Sequence, residues 1–256
     1  MPIDGAIRIL AASHKAYEFP NSSIYFPIQV GTTLNGPLPG MLHDNTGEDI
    51  SEKNVSFCEL TALYWAWKNN FFDEGEYTGL VHYRRYFSGT MSFGKHHILS
   101  SEEIAKRLRR HDVIVPKKRC YWIETVYDHY AHAHNGEDLD AIRGILETAV
   151  PEYLDSFDTV MKRRSLYLYN MFIMRTEHFY AYCEWLFPIL FEVEKRIDTS
   201  AYDPYQRRVF GFLAERLFNV WLLQNGLKTC EVKVANLEGE NLLKKGVMML
   251  KRKWLG

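Results

Sequence analysis

None of the four cysteines, Cys58, Cys120, Cys183 and Cys230, stands in a Cys-x-x-Cys spacing. That excludes a zinc ribbon and a disulfide framework, and it fits a reducing cytoplasm. No window of 18 apolar residues occurs. The nearest stretch, 179–193, is interrupted by Glu184, Pro188 and Glu192, so no membrane-spanning helix is expected. Met1 to Gly5 lead into a strand-like run without a basic leader, so no signal peptide is expected either. Charge of one sign is not in excess: the formal net charge is -1, which excludes a molecule built as a trap for nucleic acid. There is no Gly-x-Gly-x-x-Gly, which argues against a dinucleotide-binding fold, and no internal repeat or low-complexity tract.

What the chain does contain is strands alternating with helices. Residues 7–12 read as a buried first strand that ends in the donor-rich Ser13-His14-Lys15, where nucleotide-binding α/β folds often begin their site. Residues 25–30 are a short extended piece, and 31–51 read as a loop whose Asp44-Asn45-Thr46-Gly47 is turn chemistry. A helix is expected over 59–69, with Leu60, Leu63, Tyr64 and Trp67 on one stripe and Trp65 off it. Ser100 to Glu103 has the form of a capping box, opening a basic helix that runs to about Arg110. Residues 112–116 are a short strand, 137–149 a helix, and 166–174 an apolar strand holding Asn170. Residues 177–196 are helical with a stop or kink near Pro188. Residues 206–225 form a second strongly patterned helix, followed by a last strand over 229–234. The expected fold is a single α/β domain with a central, mostly parallel sheet flanked by helices and a helical C-terminal half.

The most informative stretch is Gly79-Leu80-Val81-His82-Tyr83-Arg84-Arg85-Tyr86-Phe87. It opens as a strand and places a histidine, two arginines and three aromatics where that strand should end, with a polar connection over 88–100. Ligands of open α/β sheets bind outside the carboxyl ends of strands. Arginine grips phosphate with two donors at once. The pattern suits a phosphorylated, ring-bearing ligand such as a nucleotide sugar; a solvated Arg-Arg pair is the plain alternative. The chain's 16 Tyr, 15 Phe and 6 Trp fit sugar stacking and ordinary core packing equally. On the 206–225 helix, Glu215 lies opposite the apolar stripe and Arg216 at its margin. A charge at that margin must pair or reach a cavity, so both are site candidates.

Two other groupings invite a metal reading. His129, His132 and His134 stand near Asp128, but neither helical nor strand spacing aligns all three histidines. A metal-dependent hydrolase built on them is one alternative function. Asp138-Leu139-Asp140 is a literal Asp-x-Asp, yet it falls in the first turn of a helix, where acids favour the dipole. The segment 241–256 is basic and amphipathic with a tryptophan, equally a membrane-surface anchor or a packed helix.

The segments Asp44 to Ser51, Asn54, Cys58 to Asn69 and Gly79 to Phe87, with Tyr169 to Met174 and Gly211 to Leu217, resemble a bacterial family. It has long been catalogued as a domain of unknown function and is associated with capsular and exopolysaccharide glycosyltransferases. The resemblance spans nearly the whole chain. It implies a GT-A-like domain over 1–240 and sugar transfer from a UDP-sugar, with galactose in pyranose or furanose form as first donor. The acceptor would be a lipid-linked polysaccharide repeat unit at the inner membrane face, which the basic tail suits. A non-catalytic nucleotide-sugar-binding module is the other alternative. In such folds an Asp-x-Asp that holds Mn²⁺ or Mg²⁺ usually ends the central strand; here His82-Tyr83-Arg84 stands in that place. The resemblance therefore assigns no metal ligand. It implies leaving-group stabilisation by Arg84, Arg85 and His82, with Lys15. Glu215 would be the base, with Glu59 in reserve. Ser13, His14, Asp44, Asn45, Tyr83, Asn170 and Arg216, with Trp65, would recognise sugar and nucleotide.

Overall fold

The computed structural model describes residues 6–238, and the basic segment 241–256 lies outside them. Its strands are β1 (Ile7–Ser13), β2 (Tyr25–Gln29), β3 (Leu42–His43), β4 (Tyr77–His82), β5 (Arg85–Phe93), β6 (His96–Ile98), β7 (Val113–Pro116), β8 (Arg119–Cys120), β9 (Ser165–Leu166), β10 (Phe172–Arg175), β11 (Thr229–Val232) and β12 (Val234–Asn236). Its helices are α1 (Thr32–Asn35), α2 (Asn54–Phe57), α3 (Leu60–Lys68), α4 (Ser101–Leu108), α5 (Val126–Ala133), α6 (Glu137–Ala149), α7 (Leu154–Lys162), α8 (Thr176–Arg196) and α9 (Val209–Gln224).

The central sheet runs β3-β2-β1-β4-β10-β7-β11. β1 pairs in parallel with β2 and β4, as do β2 with β3 and β7 with β11; β10 alone runs against both neighbours. The fold is thus α/β with a mostly parallel sheet. Side chains alternate across each strand, and β1 divides accordingly. Leu10 and Ala12 enter the core beneath α3, α6, α8 and α9; Ile7, Ile9 and Ala11 enter a second core completed by Ile104 and Leu108 of α4. Gly79 has no side chain because β10 approaches too closely: a Cβ there would lie 2.6 Å from the Phe172 carbonyl oxygen.

The structure departs from expectation in four places. His82 pairs with Arg85 across the two-residue turn Tyr83-Arg84, so β4 and β5 form a hairpin and 88–100 is not an open connection. Its alternating polar residues hid strands that pair with β12 and β6. The expected strand over 166–174 is split, because Tyr169 (φ 77) and Asn170 (φ 50) take left-handed conformations that break the ladder. The α8 helix continues through Pro188 without ending. The loop over 31–51 holds α1 and β3. Of the smaller expectations, the capping box is present in full, Ser100 accepting from Glu103 N–H and Glu103 returning to the Ser100 backbone.

Candidate active site

The carboxyl ends of β1 and β4 open into a cavity of about 380 Å³. β1 brings Ser13 and His14, and the β4–β5 hairpin brings His82, Tyr83, Arg84 and Arg85. Asn54, Val55, Cys58 and Glu59 form a second wall, Pro204 and Arg208 a third, and Tyr169 and Glu215 stand against them. Three guanidinium groups, two imidazoles and two carboxylates therefore share one space.

The cationic side is organised around Tyr83, which is only 6% exposed. Its ring lies 5.0 Å from Lys15 Nζ, 5.6 Å from the Arg84 guanidinium carbon and edge-on to His14 and Tyr17. Glu238 bridges the two cations, accepting from Arg84 at 3.0 Å and from Lys15 at 3.4 Å. The Arg84 contact holds the Glu238 carboxyl below its ordinary range. Ser13 Oγ is committed locally, donating to the Lys15 carbonyl at 2.7 Å. Arg85 lays its guanidinium 4.6 Å from the centre of the Tyr169 ring, and its Nε is buried without a hydrogen-bond partner among the described residues. Burial, then the Lys15, Arg84 and Arg208 charges, lower the pKa of His14, so it adds no charge of its own at neutral pH.

The acidic side hangs on the main chain of one residue, Tyr169. Tyr169 N–H donates to Glu215 Oε1 at 2.7 Å, and the Tyr169 carbonyl accepts from His82 Nε2 at 2.6 Å. A carbonyl only accepts, so Nε2 carries the proton. Burial lowers the His82 pKa, which leaves Nδ1 of the neutral ring as an acceptor. Glu215 Oε2 accepts from Arg216 at 2.8 Å. Burial nevertheless raises the Glu215 pKa, with Arg216 and the Tyr169 N–H opposing it. Such a carboxylate is a stronger base than an exposed one. Glu59 accepts from Asn170 Nδ2 at 2.8 Å, and Asn170 also donates to the Gly211 carbonyl at 3.1 Å.

Several expected site residues stand elsewhere. Asp44 is fully buried and accepts four hydrogen bonds, from the Gly31 and Thr32 backbone and from Ser51 and Thr61 Oγ, at 2.6–3.0 Å. Its lone pairs hold the loop after β2 together, and neither it nor exposed Asn45 lines the cavity. Trp65 packs on Phe71 and donates Nε1 to the Thr46 carbonyl at 2.7 Å. Arg216 is 2% exposed and supports Glu215 from behind, bonding the Phe212 carbonyl and covering the Tyr130 ring. Asn170 and Lys15 are near neighbours of the cavity rather than its lining. Residues that sequence reasoning gave no site role also appear: Asn54, Cys58, Tyr169 and Arg208. Arg208 donates to Cys58 Sγ at 3.3 Å, and burial pushes the Cys58 thiol up to about 12. The Asp203-Pro204 turn ahead of Arg207-Arg208 was the available signal for this wall.

The metal readings find no support in the geometry. His129 stacks on Tyr121, His132 meets Glu124, and His134 meets Gln206, three separate settings. Asp128 caps α5 through Thr125. Asp138 is buried and accepts from Tyr130 and Tyr202 hydroxyls, while Asp140 accepts from Tyr127. Among the described residues no group of three His, Cys, Asp or Glu side chains could hold a metal ion. At the end of β4, a histidine and two arginines are the wrong donors for Mn²⁺ or Mg²⁺, which take oxygen ligands.

A solved structure of WbbM, a bifunctional glycosyltransferase, in its apo form superposes with a TM-score of 0.82 and 32% identity. The match covers 92% of this chain and 46% of that one, so the chain spans about half the length of that protein. No curated protein matches. No helix among the described residues is long and apolar enough to cross a membrane. The model of one family, described as a domain of unknown function, DUF4422, matches residues 8–226, and the chain belongs to that family.

Proposed function

We propose that this chain is a GT-A-like glycosyltransferase that moves a hexose from a UDP-sugar to a glycan acceptor. Galactose, as pyranose or furanose, is the first donor to try. A lipid-linked repeat unit of capsule, exopolysaccharide or O-antigen at the cytoplasmic membrane face is the proposed acceptor. One observation carries this reading: Arg84, Arg85 and Arg208 line one cavity together with Glu215 and Glu59 at the carboxyl edge of the sheet. The likeness to a bifunctional glycosyltransferase supports it.

In the proposed reaction the bond from the anomeric carbon to the diphosphate oxygen breaks, and its electron pair leaves with UDP. Arg84 and Arg85 stabilise that growing charge by position alone, and Lys15 and Arg208 add to the field. The Lys15 and Arg84 pair already holds an anion, the Glu238 carboxylate, and the diphosphate takes its place. The acceptor hydroxyl gives its proton to Glu215 as its oxygen bonds the anomeric carbon. Each of these steps is carried by side chains of the chain itself.

Calorimetric titration with UDP tests the phosphate role. Losing charge-assisted bonds should weaken binding of Arg84→Ala by about ten- to a hundredfold. Wild-type affinity should be the same with and without EDTA. Unchanged affinity in the variant, or loss of binding in EDTA, refutes the assignment.

A further inference from the structure

A second cavity of about 330 Å³, bounded by Lys117, Tyr169, Val234 and Asn236, shares the Tyr169 wall with the first. Lys117 follows the carboxyl end of β7, and β7 runs parallel to β4 because β10 opposes both. The chain beyond Lys117 therefore leaves the sheet at the edge where the first cavity opens. It carries Trp122 and Ile123, 81% and 59% exposed, the two most exposed large apolar side chains among the described residues. We infer that the tip formed by Trp122 and Ile123 enters the surface of an anionic phospholipid membrane, held there by the cations around it.

The tip is tied at its base. Tyr121 behind it is buried and stacks on His129. β8 pairs with β9, and the Tyr121 and Val126 N–H groups donate to the Arg164 and Arg163 carbonyls at 2.8 and 2.7 Å. Both ends of the turn are thus fixed to one neighbouring stretch of chain. Between them Ile123 N–H donates to the Tyr121 carbonyl at 2.6 Å, closing a γ-turn with Trp122 at φ 58. A left-handed backbone is unfavourable for tryptophan, and a large ring left in water forgoes its burial. Both costs fall on the same residue.

The surrounding charge names the partner. The β8–β9 pairing sets two basic runs side by side, Lys117-Lys118-Arg119 and Lys162-Arg163-Arg164, and all but Arg163 are exposed. Over 117–124 and 162–165 the one acid is Glu124, which is engaged by His132. Of the six cations only Lys118 has a carboxylate within 4.0 Å among the described residues, that of Glu231. The whole chain carries -1, so this excess is local. A tryptophan and an isoleucine ringed by such cations match the apolar boundary and the anionic headgroups of a bilayer surface. A neutral saccharide would use the tryptophan and leave the cations without counter-charge. A nucleic acid would use the cations and leave the isoleucine in water. Docking by this edge turns the first cavity towards an acceptor carried in the bilayer; that consequence rests on the transferase reading, whereas the lipid contact does not.

Sedimentation of the full chain with phosphatidylcholine vesicles, prepared with and without phosphatidylglycerol, tests this. Wild type should partition onto the vesicles that contain phosphatidylglycerol and ignore the neutral ones. Trp122→Ala should weaken that partition about tenfold, as loss of a partly buried aromatic would. Arg119→Ala should weaken it about fivefold, and added salt should weaken it further. Both positions are exposed, so both variants should keep the wild-type melting temperature and UDP affinity. The basic segment 241–256 is present throughout, so binding driven by it alone would be equal in wild type and variants. That equality overturns the inference, as does equal partition onto neutral vesicles or no partition of wild type at all. Variant-sensitive binding of a single-stranded oligonucleotide in place of vesicles also overturns it and assigns the surface to nucleic acid. If partition behaves as expected while UDP fails to bind wild type, the membrane surface stands and the transferase reading falls.

Discussion

Asp44→Ala separates a structural carboxylate from a ligand-binding one. The side chain accepts two backbone N–H groups, of Gly31 and Thr32, and two hydroxyls, of Ser51 and Thr61. One hydroxyl can be re-satisfied, since Thr61 Oγ1 already lies 3.2 Å from the Cys58 carbonyl, and the Ser51 hydroxyl, which accepts from Thr33 N–H at 3.1 Å, can rotate its proton elsewhere. The two backbone N–H groups have no such recourse. Leaving each unsatisfied costs about 1–3 kcal/mol, or about 2–6 kcal/mol together. For a chain of this size that lowers the melting temperature by roughly 4–24 °C. The assay is thermal unfolding followed by circular dichroism, with UDP titrated into the folded protein below the transition. Destabilisation with near-normal UDP affinity is expected. A melting temperature within about 2 °C of wild type refutes the bond accounting. Normal stability with lost UDP binding would return Asp44 to the ligand.

Glu215→Gln should lower the transfer rate by about 10²–10⁴-fold while UDP still binds, as removal of a general base does; an unchanged rate removes that role. Burial raises the Glu215 pKa and the base must be ionised, so wild-type activity should fail on acidification at a pH above the ordinary carboxylate value. A pH–rate profile whose acid limb lies at or below 4.5 would contradict this. Gly79→Ala should destabilise the chain without touching the cavity, because its Cβ would press on the Phe172 carbonyl and the Ile173 side chain; unaltered urea unfolding would show that β10 can yield.

The strand ending in His82, the 59–69 helix and the helix carrying Glu215 were legible because each announces itself through local period and composition. So was the position of Arg84 and Arg85 at a strand end. The direction of β10 was not, since a period-two pattern reads the same both ways. Tyr169 and Asn170 looked like strand residues, and only their long-range bonds to His82, Glu215 and Glu59 explain why the backbone turns left-handed there. Asp44 was misread because turn residues are usually exposed, whereas its partners are drawn in from Gly31, Ser51 and Thr61. Arg216 was read correctly as a charge that must find a partner, and that partner is the residue beside it.

The reversed strand β10 enters the sheet where its neighbours leave it, so the site gains a stretch of main chain that other strands would have carried to the far edge. His82 bonds the Tyr169 carbonyl and Glu215 the Tyr169 N–H, so both contacts run through main-chain atoms of that residue. A change of side chain there leaves the amide in place, so the ring is the part open to variation. Replacing that ring would therefore reshape the wall common to both cavities while the hydrogen bonds to His82 and Glu215 stay where they are.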